Sequence, residues 1–134
     1  EQLTVVHPES EKIRDVSNII FEGPVERVGY GLVSKNGTVV LHGRLDRSPC
    51  GTGTSARLAV MAAKGLIDKG ERFENESITG TKFVSRIVSH TKVGQKDAVI
   101  PTIAGQAWIT GIMELGIDPT DPISYGHRVS DIWF

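Results

Sequence analysis

One segment constrains the fold more than any other: Asp46-Arg47-Ser48-Pro49-Cys50-Gly51-Thr52-Gly53-Thr54-Ser55-Ala56-Arg57-Leu58-Ala59-Val60-Met61-Ala62-Ala63. It leaves a strand, turns through Gly and Thr, and continues as a helix. Residues 58–63 are all apolar. A helix without a polar face is surrounded by protein rather than laid on a surface. Its small residues, Ala59, Ala62 and Ala63, let strands pack close. Gly65 is a good C′ stop, so the helix is expected to end near Lys64. The pattern predicts an α/β (α+β) domain, with a mixed β-sheet or barrel wrapped around a central buried helix.

The flanking segments supply the strands. Pro8 favours a break, and Ser10 can cap a short helix with Ile13, Val16 and Ile20 at helical spacing. Ile19-Ile20-Phe21 also suits the start of a strand. A hairpin is expected next, with arms at 28–34 and 38–45. Its turn is Asn36-Gly37, a pair that readily takes the positive φ angles of a type I′ turn. Beyond the helix, strands are expected at 73–79, 82–93, 98–103, 107–113 and 129–134. Gly80-Thr81 and Gly105 read as turns or bulges, and Asp118-Pro119 with Asp121-Pro122 as a stiff loop. No βαβ alternation is evident, so the sheet is expected to curl round one helix.

The 134 residues suit a single domain, 1–134, with a core of its own. A formal net charge of −1 gives no attraction to nucleic acid or an anionic membrane. No apolar run approaches the length of a transmembrane helix. A single cysteine excludes an internal disulfide and a multi-cysteine metal site, and makes a reducing, cytoplasmic setting the default. The first residue is Glu1 rather than Met, so an N-terminal portion is expected to be missing.

A lone cysteine is usually a small buried hydrophobe. Cys50 sits differently, between Pro49 and a Gly/Thr turn that opens a helix. Such a turn leaves several N–H groups unpaired, and with the helix dipole they favour an anion. The same location is expected to lower a thiol pKa from about 8.5 towards neutrality, suiting it to give and take protons. Gly51-x-Gly53-x-x-Ala56 fits the loose dinucleotide fingerprint, but no apolar strand ending in an acid follows. A Walker loop would need Lys-Ser/Thr after its second Gly. A Cys-x5-Arg phosphatase loop fails because Arg57 is one residue too far. A cysteine hydrolase would need a histidine base. His7, His42 and His90 stand in no such setting and read as structural or surface residues. Asp46 has two readings. It closes an Asx-type turn, or it holds an ammonium group beside the bound anion. An amino acid would present both charges, with its α-carbon facing Cys50.

The stretch from Asp46 to Ala56 resembles the second cysteine motif of the proline racemase family, which includes hydroxyproline epimerases. Further segments resemble the family in order: His7-Pro8, Glu76-Ser77-Ile78-Thr79-Gly80-Thr81-x-Phe83, Ile100-Pro101-Thr102-Ile103-Ala104-Gly105-Gln106-Ala107-Trp108-Ile109-Thr110-Gly111, and Asp118-Pro119-Thr120-Asp121-Pro122. The resemblance implies racemisation or epimerisation of proline or hydroxyproline without any cofactor. Two acid/base residues, one from each of two similar domains, face opposite sides of the α-carbon. Each domain wraps a mixed sheet round a central helix, as in diaminopimelate epimerase. By the same resemblance Cys50 is one acid/base. Gly51 and Thr52 donate backbone N–H groups to the substrate carboxylate, and Asp46 holds its nitrogen.

The family's partner motif, a Cys or Ser followed by Gly-His, does not occur here. The chain therefore reads as the C-terminal portion of a family member, lacking a partner domain that carries the second acid/base. Homodimerisation is a further expected association. A Cys at position 50 differs from the branch with Thr there, which dehydrates trans-3-hydroxyproline. The ending Gly126-His127-Arg128-Val129-Ser130-Asp131-Ile132-Trp133 resembles branches that act on 3-hydroxyproline, so that dehydration is the alternative within the family. Val40 stands where some proline racemases place an aromatic, implying a roomier pocket. The reading from a different class is a noncatalytic anion-binding module.

Overall fold

The structure is a computed structural model that describes residues 5–14, 16, 18–41, 43–124 and 126. Its elements are strands β1 (Asn18–Glu22), β2 (Glu26–Val28), β3 (Gly31–Val40) and β4 (Arg44–Leu45), helix α1 (Gly51–Ala63), and strands β5 (Phe73–Ser77), β6 (Lys82–Val93) and β7 (Lys96–Ala104). They form one mixed sheet in the order β1-β3-β5-β6-β7, with β2 and β4 also pairing with β3. The expected α+β class holds. All the neighbouring pairs are antiparallel except β3 with β5, which are parallel. A parallel pair needs a crossover, and α1 supplies it. The sheet thus contains one βαβ unit, where simple curling was expected.

The largest departure is at β3. The expected hairpin turn, Asn36-Gly37, lies inside a continuous strand. Asn36 pairs with Glu22 on one side and Ser77 on the other, and Gly37 pairs with Phe21. Neighbours on both edges use the whole length of β3, and this outweighs the local turn preference. The chain reverses instead at residues 29–30 and again before β4, where Gly43 has φ 73° and its N–H donates to the Val40 carbonyl. Among the described residues the short helix expected after Ser10 is also absent. Ser10 and His7 form an isolated bridge, and Ile20 lies in β1. Residues 107–113 form no strand and are exposed. The strand expected at 129–134 lies outside the described residues, as does His42.

Helix α1 starts and stops where the residues predict. Its C-terminus is a Schellman turn: Gly65 N–H donates to the Ala62 carbonyl and Leu66 N–H to that of Met61. Gly65 takes φ 66°, which costs a glycine little. Thr54, Leu58 and Met61, spaced i, i+4, i+7, face the sheet. Leu58 and Met61 join Leu32, Ile67, Phe73 and Ile87 in the core. Each such side chain contributes about 1.5–3 kcal/mol on burial. The opposite face is open, with Val60 51% exposed. The all-round burial expected of this helix is therefore not met among the described residues. No helix of these residues is long and apolar enough to cross a membrane.

Candidate active site

Cys50 ends the loop from β4 and caps α1. It is 6% exposed. Its backbone takes φ 64° and ψ 114°, and among the described residues it alone has a positive φ without being glycine. Sγ accepts from Gly53 N–H at 3.4 Å. That is the place usually filled by a Ser or Asp side chain at a helix start. The thiol therefore lies against the first turn of the helix, which contains no acidic residue. Gly51 and Thr52 follow it and are exposed. Among the described residues their N–H groups have no acceptor, as first-turn donors generally lack one inside the helix. Gly53 lies close to β1: a Cβ there would meet Ile20 Cδ1 at 2.4 Å, so the Ile20 side chain would have to shift.

Asp46 takes the turn reading. Its Oδ1 accepts from Ser48 N–H at 2.9 Å and from Ser48 Oγ at 3.0 Å. Ser48 Oγ in turn accepts from Cys50 N–H at 3.1 Å. Asp46 is thus tied to the cysteine through one serine. Both bonds go to Oδ1, leaving Oδ2 outside the turn. The two readings of Asp46 are compatible.

The loop is clamped at two carbonyls. That of Arg47 accepts from Thr79 Oγ1 at 2.7 Å and Thr81 Oγ1 at 3.3 Å, from the β5–β6 turn. That of Pro49 accepts from Asn36 Nδ2 at 2.9 Å and Thr54 Oγ1 at 3.3 Å. Thr54 accepts from Asn75 Nδ2 at 3.2 Å. Asn75, fully buried, accepts from Arg57 Nη1 at 3.2 Å. None of these holders was singled out from the sequence. Asn36 was read as a turn and Arg57 as a misplaced phosphate-loop arginine. A legible signal existed for Arg57, which shares a helix face with Thr54 and Met61. Asn36 and Asn75 reach the site only through the sheet register.

Arg57 is 3% exposed. Its Nη2 donates to Ser34 Oγ at 2.6 Å and to the Gly23 carbonyl at 3.2 Å. Glu22 Oε1 lies 3.0 Å from Nε as an ion pair, off the direction of the N–H. The guanidinium carbon lies 5.3 Å from the Phe73 ring centroid. Burial lowers its pKa from the ordinary arginine value, and Glu22 opposes that. Arginine stays charged through such shifts.

A cleft of about 730 Å³ borders the loop, lined by Arg47, Ser48, Thr79, Thr81, Phe83 and Trp108 among others; Cys50 does not line it. His7 Nδ1 accepts from Glu9 N–H at 3.1 Å. His90 lies exposed on β6, paired with Val99.

A family model described as proline racemase matches residues 1–128. The chain belongs to the proline racemase family. A curated proline racemase of Acetoanaerobium sticklandii is 46% identical over 130 residues, covering 96% of this chain and 38% of the relative. A crystal structure of a hydroxyproline epimerase from Agrobacterium vitis, with trans-4-hydroxy-L-proline bound, superposes with a TM-score of 0.72 at 37% identity. A probable proline racemase from Agrobacterium radiobacter K84, with carbonate bound, superposes at 0.73 and 37% identity. Each comparison covers 98% of this chain and 37% of the other. The chain thus spans well under half the length of these relatives.

Proposed function

We propose that this chain forms one half of a cofactor-independent racemase or epimerase acting at the α-carbon of proline or hydroxyproline. The observation that carries the reading is a thiol in the N-cap position, beside the Gly51 and Thr52 N–H groups, which have no acceptor among the described residues. In this reading Gly51 and Thr52 N–H groups hold the substrate carboxylate, and Asp46 Oδ2 holds the ring ammonium. The Cys50 thiolate takes the α-proton. The electron pair left on carbon spreads into the carboxylate, where the N–H groups and helix dipole stabilise it. A residue of a partner domain delivers a proton to the opposite face, inverting the centre. In the reverse direction Cys50 S–H is the donor. The share of the relatives that this chain covers supports a partner domain, and a reduced thiol fits the cytoplasm.

Pyrrole-2-carboxylate mimics the planar deprotonated substrate and tests the reading. Iodoacetamide labelling is read by mass on the peptide that carries Cys50, which separates it from any cysteine of the partner domain. In the polypeptide carrying both halves, a saturating amount should slow labelling by at least about tenfold, as a transition-state mimic should. Equal protection by acetate would indicate an anion-binding module instead. No protection would remove the reading.

A further inference from the structure

The Pro49–Cys50 peptide lies in the middle of a hydrogen-bond chain whose donors all point one way. Arg57 donates to Asn75, Asn75 to Thr54, and Thr54 to the Pro49 carbonyl. Across the same peptide, Cys50 N–H donates to Ser48, and Ser48 to Asp46. A guanidinium cannot accept and a carboxylate cannot donate, so the two ends fix the direction of every hydroxyl between them. The half nearest Arg57 is dry, with Asn75 and Thr54 both 0% exposed. In such surroundings each link polarises the next.

We propose that Thr54, Asn75 and Ser48 are positioning residues for the thiol. The chain sets the plane of the Pro49–Cys50 peptide, while α1 sets the backbone beyond the Cys50 α-carbon. Between these two fixed parts the residue has only φ 64° to adopt, and Sγ is brought onto Gly53 N–H. A positive φ at cysteine is costly, and persists only where its surroundings over-determine it. Charges of opposite sign at the two ends couple Asp46 to the buried Arg57 through the thiol's own peptide. The inference rests on the proposed role of Cys50 only for its bearing on catalysis. Its test reads the thiol's placement, so the two fail separately.

The test uses Thr54→Val, Thr54→Ser and Ser48→Ala in the full chain, with the iodoacetamide rate of Cys50 and amide hydrogen exchange as readouts. Thr54→Val keeps the shape and deletes both of the hydroxyl's links, to Asn75 and to the Pro49 carbonyl. Ser48→Ala, at a half-buried site, breaks the other side and serves alone if the valine variant does not fold. Each is expected to free the buried thiol, raising its alkylation rate at least about fivefold and quickening exchange at Cys50 and Gly53 but not at Ile87. Thr54→Ser is expected to stay within about twofold of the parent. Because both breaks act on one chain, the double variant should exceed the larger single effect by no more than about twofold, where independent sites would multiply. The proposal is overturned by unchanged alkylation, by exchange quickened across the whole sheet, by failure of Thr54→Ser to restore the parent rate, or by multiplying effects.

Discussion

Arg57 carries a full charge inside the protein, and its partners decide whether that is tolerable. Ser34, Gly23, Asn75 and Glu22 surround the guanidinium, and together they join α1 to β1, β3 and β5. Removing the side chain would strand buried groups that have no water to turn to. Arg57→Ala is expected to lower the unfolding free energy by about 3–5 kcal/mol in urea titrations. Arg57→Lys should recover only part, since an ammonium cannot reproduce the fork. A loss under about 1 kcal/mol would mean that the pairing is not needed. At this scale Cys50, Asp46 and the Gly/Thr turn were legible, because their chemistry is local. Asn36, Asn75 and Thr79 were not. Their partners lie 13, 18 or 21, and 32 residues away in the chain.

Strand β3 shows how elements override residue preferences. Asn-Gly is a strong hairpin signal, yet three neighbouring strands extend β3 straight through it. Two glycines separate the readings. Gly37 lies in extended backbone with open space at its Cβ position. Gly37→Ala is therefore expected to be neutral or stabilising by about 0.5 kcal/mol, because it restricts the unfolded chain. A type I′ turn would instead require a positive φ there and make alanine costly. Gly31 has φ 141°, and a Cβ would meet the Arg72 carbonyl oxygen at 2.3 Å. A backbone atom cannot swing aside, so Gly31→Ala is expected to cost about 2–3 kcal/mol or more. Thermal midpoints of the two variants check this, and a Gly37→Ala loss matching that of Gly31→Ala would restore the hairpin. The ends of α1 were legible because caps are local. The absent strand at 107–113 was not, since a strand needs a partner and none pairs with it among the described residues.

At the scale of the molecule, the outer face of the sheet carries charge and the helix side carries the site. Glu74 sits between Lys82 and Arg72, each 2.7 Å from a carboxylate oxygen. Hydrogen bonding from Lys82, then from Arg72, holds its carboxyl below the ordinary range, although burial pushes the other way. A carboxylate with a lower pKa folded than unfolded adds stability above the unfolded value. That contribution is lost as pH falls through the folded one. Stability should therefore drop below the usual carboxylate range. Glu74→Gln should flatten this acid limb in urea midpoints, and salt should weaken the effect because Lys82 is 51% exposed. An unchanged acid limb would contradict the pairing.

The α+β class and the placement of the thiol at the helix start were readable from one segment. The exposed Val60 face of α1 and the unpaired apolar residues Trp108, Ile109 and Ile112 concern surfaces that other parts of a larger protein can cover. This bears directly on activity. In the proposed mechanism one face of the α-carbon meets Cys50 and the other a partner residue, so neither half suffices. The most direct measurement is proton NMR of α-proton loss from L-proline and trans-4-hydroxy-L-proline in heavy water. It compares the polypeptide carrying both halves, its Cys50→Ala variant and the present chain alone. The account predicts exchange with inversion only in the first, and a loss of about 10²–10⁴-fold when Cys50 is replaced. Undiminished exchange in Cys50→Ala, or racemisation by this chain alone, would contradict it.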